Sequence, residues 1–232
     1  KLEMQANVVS ALLPVCMNLK EVAGALNINA LKLVPTAVAA GRAVLLESQK
    51  ENGVAVVEMG AATTSVAIFM EGFLQYFGVI NIGANHITND IAISLAVSTE
   101  IAEEIKMKYV TAELIDNDKP MTMRFGDESI SFTKTMVNRI VEDRLIDIFE
   151  HVKKEIAIAG YEKKLPEGVV LTGGGAEMRG IERFAREHME VATRIGLPLM
   201  DVTHIDNETK KPRFAVAIGL ALMMNDDMRE QE

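Results

Sequence analysis

One acid, three small residues and two hydroxyls fall within a short stretch of the sequence. Small side chains let a backbone approach a ligand closely, so that its N–H groups can face an anion. A carboxylate beside such a turn cannot bind phosphate directly, but it can hold a magnesium ion through water. A buried hairpin with a tight turn would show the same pattern, because small-residue turns are common. The residues are Glu58, Gly60, Ala61, Ala62, Thr63 and Thr64.

A second stretch without bulky side chains follows the apolar run 169–172, where Gly173, Gly174 and Gly175 precede an amphipathic segment. We call this stretch and the earlier one, which begins at Gly60, the two glycine corners. Open α/β sheets bind ligands at the carboxyl ends of their strands. Met178 stands where a dinucleotide fingerprint needs its third glycine, and the P-loop pattern does not occur. These two glycine-bearing strand ends are far apart in the sequence, and we predict that one ligand-binding cleft lies between them.

Between these corners, Glu103 and Lys106 are three positions apart and therefore neighbours on one helix face. They could form a surface ion pair, worth a few tenths of a kcal/mol. They could also supply an acceptor for a ribose hydroxyl and a cation at a nucleotide. By spacing alone the surface ion pair is the favoured interpretation.

Composition excludes several classes of function. The 232 residues carry a formal charge of −9 without a basic run, which argues against nucleic acid as a partner. A single cysteine, Cys16, excludes an internal disulfide and fits a reducing compartment. Neither CxxC nor HExxH occurs, so the sequence gives no pattern for a structural metal site. The apolar run 214–224 is too short to span a bilayer.

Hydrophobic periodicity predicts alternating strands and helices. We expect the clearest break near Gly53 and the longest helix at 133–159, with Gly160 ending it. A helix capped by Asn18 is expected after the first strand. The other predicted strands are 5–13, 31–34, the hairpin 54–69, 73–82, the hairpin 121–132, 169–172 and 193–198, and the other predicted helices are 35–49, one through Ile87 and Ile91, 100–109, one from Ile181, and 212–225.

At this point two motifs resemble the actin-like ATPase superfamily: residues 56–68 its second phosphate loop, and residues 169–176 its adenosine motif. Within that superfamily the chain resembles the FtsA family of bacterial cell-division proteins. The segments that carry this narrower likeness are 81–92, 102–106, 141–144 and 194–198.

The resemblance implies an α/β fold, an actin-like (ribonuclease H-like) ATPase lobe whose mixed sheet is flanked by helices, with an inserted smaller subdomain. It implies residues 1–52 as the remnant of a first lobe, 53–86 and 160–232 as the nucleotide-binding core of the second lobe, and 87–159 as the insertion. The chain is therefore expected to be a fragment. Membrane contact is expected only through a C-terminal helix that this chain lacks.

The resemblance also implies a function: an ATP-binding, filament-forming scaffold that links FtsZ to the inner face of the cell membrane at the division site, in the cytoplasm. ATP and Mg²⁺ are the implied cofactors. Gly60, Ala61, Ala62, Thr63 and Thr64 would approach the phosphates, Glu58 would hold magnesium through water, Glu103 and Lys106 would contact ribose or adenine, and Gly173, Gly174, Gly175 and Met178 would adjoin the nucleoside. The FtsZ C-terminal tail is acidic, so it needs cations, and Arg139 and Arg144 are its expected site.

The chain departs from the family pattern at four positions. Glu58 and Ser65 replace aspartates, and Ala61-Ala62 replace two glycines. The longer acid displaces a carboxylate, and catalysis is sensitive to such displacements. We therefore expect at most a weak ATPase. The alternatives are a PilM-like pilus-assembly adaptor or a small-molecule kinase of the same superfold, because fold does not fix function.

Overall fold

A mixed five-stranded sheet lies at the centre of the molecule. The computed structural model describes residues 3, 6–28, 32–113, 119–126, 128–199 and 209–229. Their strands are β1 (Val54–Met59), β2 (Thr64–Met70), β3 (Phe73–Ile80), β4 (Met121–Phe125), β5 (Glu128–Phe132), β6 (Val169–Thr172) and β7 (Thr193–Ile195). The sheet order is β3-β2-β1-β6-β7, and β4 pairs with β5 in a separate hairpin. β1 is antiparallel to β2 and parallel to β6.

Helices cover both faces of this sheet. They are α1 (Leu13–Ala25), α2 (Thr36–Val44), α3 (Glu47–Asn52), α4 (Ala84–Leu95), α5 (Thr99–Tyr109), α6 (Lys134–Ile158), α7 (Ile181–Met189) and α8 (Ala215–Arg229). Short 3-10 turns, Gly174–Glu177 and Pro212–Phe214, precede α7 and α8. The predicted mixed α/β class is confirmed.

The alternation of β1 assigns its side chains to two cores. Ala55, Val57 and Met59 face a large core formed with α4, α5, α6 and α7. Val54 and Val56 face a smaller core formed with α2 and α8. Because successive strand residues point to opposite faces, an unbroken apolar strand is buried on both sides. This arrangement fixes β1, and hence the corner that follows it, between two helical layers.

The longest helix is confirmed close to its predicted bounds, and its buried apolar side chains form one stripe along α6. Thr133 caps α6 through a hydrogen bond from Met136 N (3.1 Å), and Gly160, at φ 76°, follows its end. The stripe packs α6 on the large core, and each fully buried aliphatic or aromatic side chain contributes about 1.5–3 kcal/mol. Its fully buried members include Val141, Leu145, Ile148, Phe149 and Val152.

The smaller core depends on a close crossing of α2 and α8. A Cβ added at Gly219 would lie 1.8 Å from the carbonyl oxygen of Ala39. A Cβ at Gly41 would lie 3.0 Å from the Phe69 ring. The two helices therefore approach as closely as their backbones allow.

The N-terminal predictions are wrong in part. Residues 6–12 pair with no strand of the described sheet, and α1 begins at Leu13, with a proline in its first turn. Proline suits that position because its missing N–H has no helical partner there. Asn18 consequently lies inside α1 instead of capping it, and α1 buries none of its side chains.

Two further predictions in this region need correction. Residues 32–34 form no strand, and residue 31 lies outside the described residues. The single helix predicted for 35–49 is two helices, because Leu45 and Leu46 are extended, with ψ 141° and 152°. Gly53, at φ 111°, provides the predicted break. The hairpin predicted at 121–132 is confirmed as β4 and β5, and its turn is described only at Gly126, since Asp127 lies outside the described residues.

The sheet strands come from 54–80 and 169–195, whereas α4, α5, α6 and the small hairpin occupy 84–158. The predicted division at 1–52, 53–86 with 160–232, and 87–159 stays a prediction. Across the described residues, each helix lacks the combination of length and apolar character needed to cross a bilayer.

Candidate functional site

The two glycine corners meet at one edge of the sheet. β1 and β6 are neighbouring parallel strands, and Glu58 is in register with Thr172. A Cβ added at Gly173 would lie 2.6 Å from the Met59 carbonyl oxygen and 2.7 Å from Glu58 Oε1. Gly173 also adopts φ 86°, a conformation that favours glycine. The second corner is therefore packed directly against the end of β1.

A cleft of about 490 Å³ opens beside these corners, which is the size of a typical small-molecule site. Seven of the predicted residues line it, whereas Glu58, Ala62, Thr63, Thr64 and Gly173 lie outside its lining. An added Cβ at Gly174 would meet no atom within 4 Å, so the backbone there faces open space. The seven are Gly60, Ala61, Glu103, Lys106, Gly174, Gly175 and Met178.

The first corner is tied to the start of α4. Gly60 N donates to Thr63 O (2.9 Å), which closes the turn. Ala84 N and Asn85 N donate to the carbonyl oxygens of Gly60 (3.0 Å) and Ala61 (2.8 Å). The loop thus satisfies two N–H groups that a helix start leaves unpaired. Loop and helix form one unit at the cleft wall.

The hydroxyl of Thr64 does not face the cleft. It is fully buried and donates to the carbonyl oxygen of Ile82 (2.8 Å). Its role in the fold is to join β2 to the segment that follows β3. Any contact of Thr64 with a ligand would have to use its backbone.

Glu58 is buried between the two strand ends, with 7% of its surface exposed. Burial raises the pKa of its carboxyl group, and a hydrogen bond with Thr36 partly opposes that rise. Thr36 Oγ1 also lies 3.2 Å from Ser65 Oγ, and the start of α2 therefore adjoins this acid. The chemistry of a single carboxylate beside two bare corners fits a water-mediated magnesium contact. No cluster of three or more metal-ligating side chains occurs in the described ranges.

Glu103 and Lys106 form more than a surface pair. Lys106 Nζ lies 2.7 Å from Glu103 Oε2, and it donates to Thr88 Oγ1 (2.8 Å) and Ala84 O (3.2 Å). Thr88 Oγ1 in turn donates to Glu103 Oε2 (2.5 Å). An ammonium group has three donors, so those of Lys106 are fully engaged. This cluster joins α5 to α4 at the cleft.

The environment of Glu103 sets its charge state. Burial pushes its pKa upward, but the hydrogen bonds from Lys106 and Thr88 outweigh burial, so the pKa lies below its usual range. The side chain is 45% exposed, whereas that of Lys106 is 9% exposed. Glu103 is therefore the member of the pair that can accept a hydrogen bond from a ligand in the cleft.

An ion pair at the rim was not predicted from the sequence. Glu177 Oε1 accepts from Arg213 Nε (2.7 Å), a second contact joins Glu177 Oε2 to the other end of the same guanidinium, and both residues line the cleft. Hydrogen bonding to Arg213 lowers the pKa of Glu177. The two residues are 36 positions apart, and nothing local in the sequence indicates their pairing. The cleft lining also includes Asn85, Lys108, Tyr109, Thr111, Lys134 and Arg179, which sequence reasoning missed.

Arg144 lies in a separate groove of about 470 Å³ between α4 and α6. It donates to Asp90 through Nε (2.7 Å) and a terminal nitrogen (3.1 Å), and to Asp147 (2.8 Å). The hydrogen bond to Asp90 raises the pKa of Arg144. Asp143 also lines the groove, so acids outnumber the cation there.

Arg139, the second residue predicted for the partner site, is exposed and lies outside the lining of this groove. The structure therefore does not bring Arg139 and Arg144 together in the groove. Because aspartates already surround Arg144, its charge alone gives no reason for an acidic peptide to bind. The partner site stays a prediction.

Comparison with known proteins identifies the family. The family model described as "Cell division protein FtsA" matches residues 55–219, which is more than half of the chain. The chain belongs to the FtsA family. FtsA of Pseudomonas aeruginosa is 30% identical over 226 residues, covering 96% of this chain and 54% of the relative. FtsA of Borreliella burgdorferi is 32% identical over 209 residues, covering 85% and 49%. The chain thus spans about half the length of the curated FtsA relatives it matches.

Solved structures confirm the predicted actin-like fold. MreB5 of Spiroplasma citri bound to ADP superposes with a TM-score of 0.74 at 17% identity, covering 95% of this chain and 68% of that one. The PilM–PilN type IV pilus biogenesis complex gives a TM-score of 0.68 at 20% identity, covering 90% and 57%. At these identities the likeness concerns the fold alone.

Proposed function

We propose that this FtsA-family chain binds an adenine nucleotide, together with Mg²⁺, in the cleft beside its two glycine corners. One observation carries the proposal: Gly174 presents backbone to open space in the cleft that Gly60 and Ala61 also line. Solved MreB5 structures of the same fold hold ADP and AMPPNP, which supports the choice of ligand.

Each part of the cleft has a role in this proposal. The bend from Gly60 through Ala61, Ala62 and Thr63 to the backbone of Thr64 would face the phosphates, and Glu58 would hold magnesium through water. Glu103 would accept from a ribose hydroxyl, while Lys106 keeps Glu103 and α4 in place. Gly173, Gly174 and Gly175 would pass beside the nucleoside and Met178 would pack on the base. Bound magnesium would neutralise part of the phosphate charge.

We expect these carboxylates to support ATP hydrolysis that is slow at most. The two carboxylates that line the cleft, Glu103 and Glu177, are both held in ion pairs. Glu58 is buried, with a raised pKa, and stands one methylene further from its backbone than an aspartate would. A general base has to reach the proton that it removes, and no cleft residue is free to do so. The chain therefore acts as a scaffold more than as a catalyst.

Membership of the FtsA family supports a wider role. In the whole protein this part would belong to a scaffold that polymerises and links FtsZ to the inner face of the cell membrane at the division site. The helical insertion, 87–159, would contribute the surface for the FtsZ tail, near Arg139 and Arg144. The groove beside Arg144 also exposes Ile93, so apolar contact would have to carry much of that affinity.

Titration calorimetry with Mg-ATP tests the binding proposal. Gly174→Leu should weaken binding at least tenfold, because the new side chain would occupy the space where the nucleoside passes; a tenfold loss corresponds to about 1.4 kcal/mol. Gly24→Leu is the matched control, since an added Cβ there also meets nothing within 4 Å, but Gly24 lies in α1, away from the cleft. Equal affinity in the two variants would refute the site.

Two assays separate the proposed scaffold from its rivals. Filaments of the whole protein that sediment with lipid vesicles and recruit purified FtsZ would favour the FtsA-type scaffold over a PilM-like adaptor. Transfer of the γ-phosphate to a small acceptor would favour a kinase. The cleft residues nominate no base for that transfer, so we expect none.

A further inference from the structure

The start of α2 lies against the buried acid at the end of β1. Glu58 and Ser65 are both buried and stand opposite each other on the antiparallel strands β1 and β2, so they share one face of the sheet. Thr36, the first residue of α2, contacts both. Its Oγ1 lies 3.2 Å from Ser65 Oγ, and it forms a hydrogen bond with the Glu58 carboxyl group. We call Thr36, Glu58 and Ser65 the Thr36 cluster.

The carboxyl group of this cluster lies between the two glycine corners. A Cβ added at Gly173 would lie 2.7 Å from Glu58 Oε1. A Cβ added at Gly60 would lie 3.5 and 3.7 Å from the two carboxyl oxygens. The acid therefore stands where the two loops proposed to hold the nucleotide meet.

The hydrogen bond from Thr36 favours the charged form of Glu58. Burial raises the pKa of this carboxyl group, and the hydrogen bond with Thr36 acts in the opposite direction. A hydrogen bond that favours an ionised carboxylate is donated to it, so the Thr36 hydroxyl is the donor. Glutamate also has more rotamer freedom than most side chains. A donor at a fixed position therefore affects both the charge and the placement of the Glu58 oxygens.

The helix that carries this donor is held along its length. The carbonyl oxygen of Val44, at the other end of α2, accepts from Arg194 (3.0 Å). Arg42 Nε donates to Asp226 of α8 (2.9 Å). Thr36 itself is exposed, whereas its two partners in the cluster are buried. Water can thus reach the hydroxyl of Thr36 while the packing of α2 keeps it in place.

Resting on the proposed function, we infer that Thr36 is a positioning residue for magnesium, which acts by holding the Glu58 carboxylate in place and ionised. Magnesium keeps several of its waters and meets carboxylates through them. Hydrogen bonds to a carboxylate that holds a metal commonly change metal affinity by about 10–100-fold. Thr36 lies outside the cleft lining and needs no contact with the nucleotide. The part of the nucleotide affinity that depends on magnesium therefore depends on Thr36.

The test measures ATP affinity by titration calorimetry on the 232-residue chain, once with Mg²⁺ and once with EDTA. The ratio of the two affinities reports what magnesium contributes. Thr36→Val removes the hydroxyl but keeps the shape of the side chain. It should lower the ratio at least fivefold and leave the affinity in EDTA unchanged. Thr36→Ser retains the hydroxyl and should preserve the ratio.

A double-mutant cycle determines whether Thr36 acts through Glu58. Glu58→Gln removes the charge that attracts the ion and should itself lower the ratio. Thr36→Val added to Glu58→Gln should then lower the ratio no further, because the hydroxyl has no carboxylate left to position.

Thr99→Val is the matched control. Thr99 is also exposed, is the first residue of a helix, α5, and forms a hydrogen bond with a glutamate, Glu100. It lies outside the cleft lining. This variant should leave the ratio unchanged.

The possible results are distinct. Tight Mg-ATP binding with an unchanged ratio in Thr36→Val would overturn this inference and leave the proposed function standing. An equal loss of affinity with Mg²⁺ and with EDTA would assign Thr36 to the packing of the site and contradict a role toward magnesium. A further fall of the ratio in the double variant would show that Thr36 does not act through Glu58. Failure of the unmodified chain to bind ATP in either condition would instead refute the proposed function.

Discussion

The cleft and the groove between α4 and α6 have nearly the same volume, about 490 and 470 Å³, but they differ in construction. Cations exceed acids in the cleft, and glycine corners bare its backbone. Three aspartates line the groove with one arginine, and Arg144 forms ion pairs with two of them, Asp90 and Asp147. Volume alone therefore does not distinguish a ligand site from a surface depression. The backbone that Gly174 leaves bare at the cleft does.

The two sites also share their helices. The start of α4, at Ala84 and Asn85, lines the cleft, and its later turns, at Asp90 and Ile93, line the groove. The same holds for α6, where Lys134 and Arg144 belong to different sites. Substitutions in either site can therefore be compared within common elements of secondary structure.

The largest effect is expected at Gly173. Gly173→Val would place a side chain against Met59 O and Glu58 Oε1 in a backbone conformation that valine rarely adopts. We expect a loss of more than about 3 kcal/mol in the free energy of unfolding, together with loss of nucleotide binding. Urea denaturation measures the first effect. Gly126→Val is the control: its φ is also positive, but the site is open, so strain of about 1–2 kcal/mol is the expected cost.

An intermediate effect is expected in the groove. Arg144→Met leaves Asp90 and Asp147 half-buried without their cation, and should cost roughly 1–2 kcal/mol in the free energy of unfolding. Adding Asp90→Asn should recover part of the loss, because one unpaired charge is removed. Nucleotide affinity should stay unchanged in both variants. A change in Mg-ATP affinity of tenfold or more would show that the two sites do not act separately.

The smallest effects concern two acids with opposite pKa shifts. Glu58 has a raised pKa, so its folding penalty is absent at low pH and grows as pH rises through the folded pKa. Glu103 has a lowered pKa, so its contribution is present above the usual pKa of glutamate and is lost as pH falls through the folded pKa. At pH 7, Glu58→Gln should raise Tm and Glu103→Gln should lower it, each by about 2 °C.

Thermal melts from about pH 4 to about pH 7 check this pair of acids. The difference between each variant and the parent chain should shrink toward the acid end. It should shrink at a higher pH for Glu58, whose raised pKa lets it take up a proton first, than for Glu103, whose lowered pKa keeps it ionised further into the acid range. Shifts of the same sign in both variants would contradict the assigned environments.

Local patterns explain what the sequence could predict. Three patterns each lie within a single element: the apolar run before Glu58, the apolar spacing along α6, and the run Val169–Thr172 before the three glycines. The strand, the helix and the second strand that they predicted are present as β1, α6 and β6. Contacts between remote positions could not be inferred in this way. The pair of Glu177 with Arg213 and the approach of Lys134 to the cleft depend on how whole elements pack.

The errors near the N-terminus have a related cause. Loose alternation of apolar residues suggested a strand at 5–13, but a strand needs a neighbour to satisfy its backbone groups. Residues 6–12 have no such neighbour in the described sheet, and the proline after Leu13 suits a helix start. At Glu103 the sequence predicted one contact and missed another. The spacing of three residues correctly predicted that Lys106 is its neighbour, but it gave no indication of Thr88, the third member of the cluster.

The close contact between Gly219 and Ala39 lies in two helices, α8 and α2, that also lead to the site. α2 starts at Thr36, beside Glu58, and α8 follows the turn whose Pro212 carbonyl oxygen accepts from Gly173 N (3.1 Å). Position 219 thus lies between two helices that each lead to a residue beside the site. A bulkier residue there would push α2 and α8 apart and displace the segments that adjoin Glu58 and Gly173, although no residue of the site had changed.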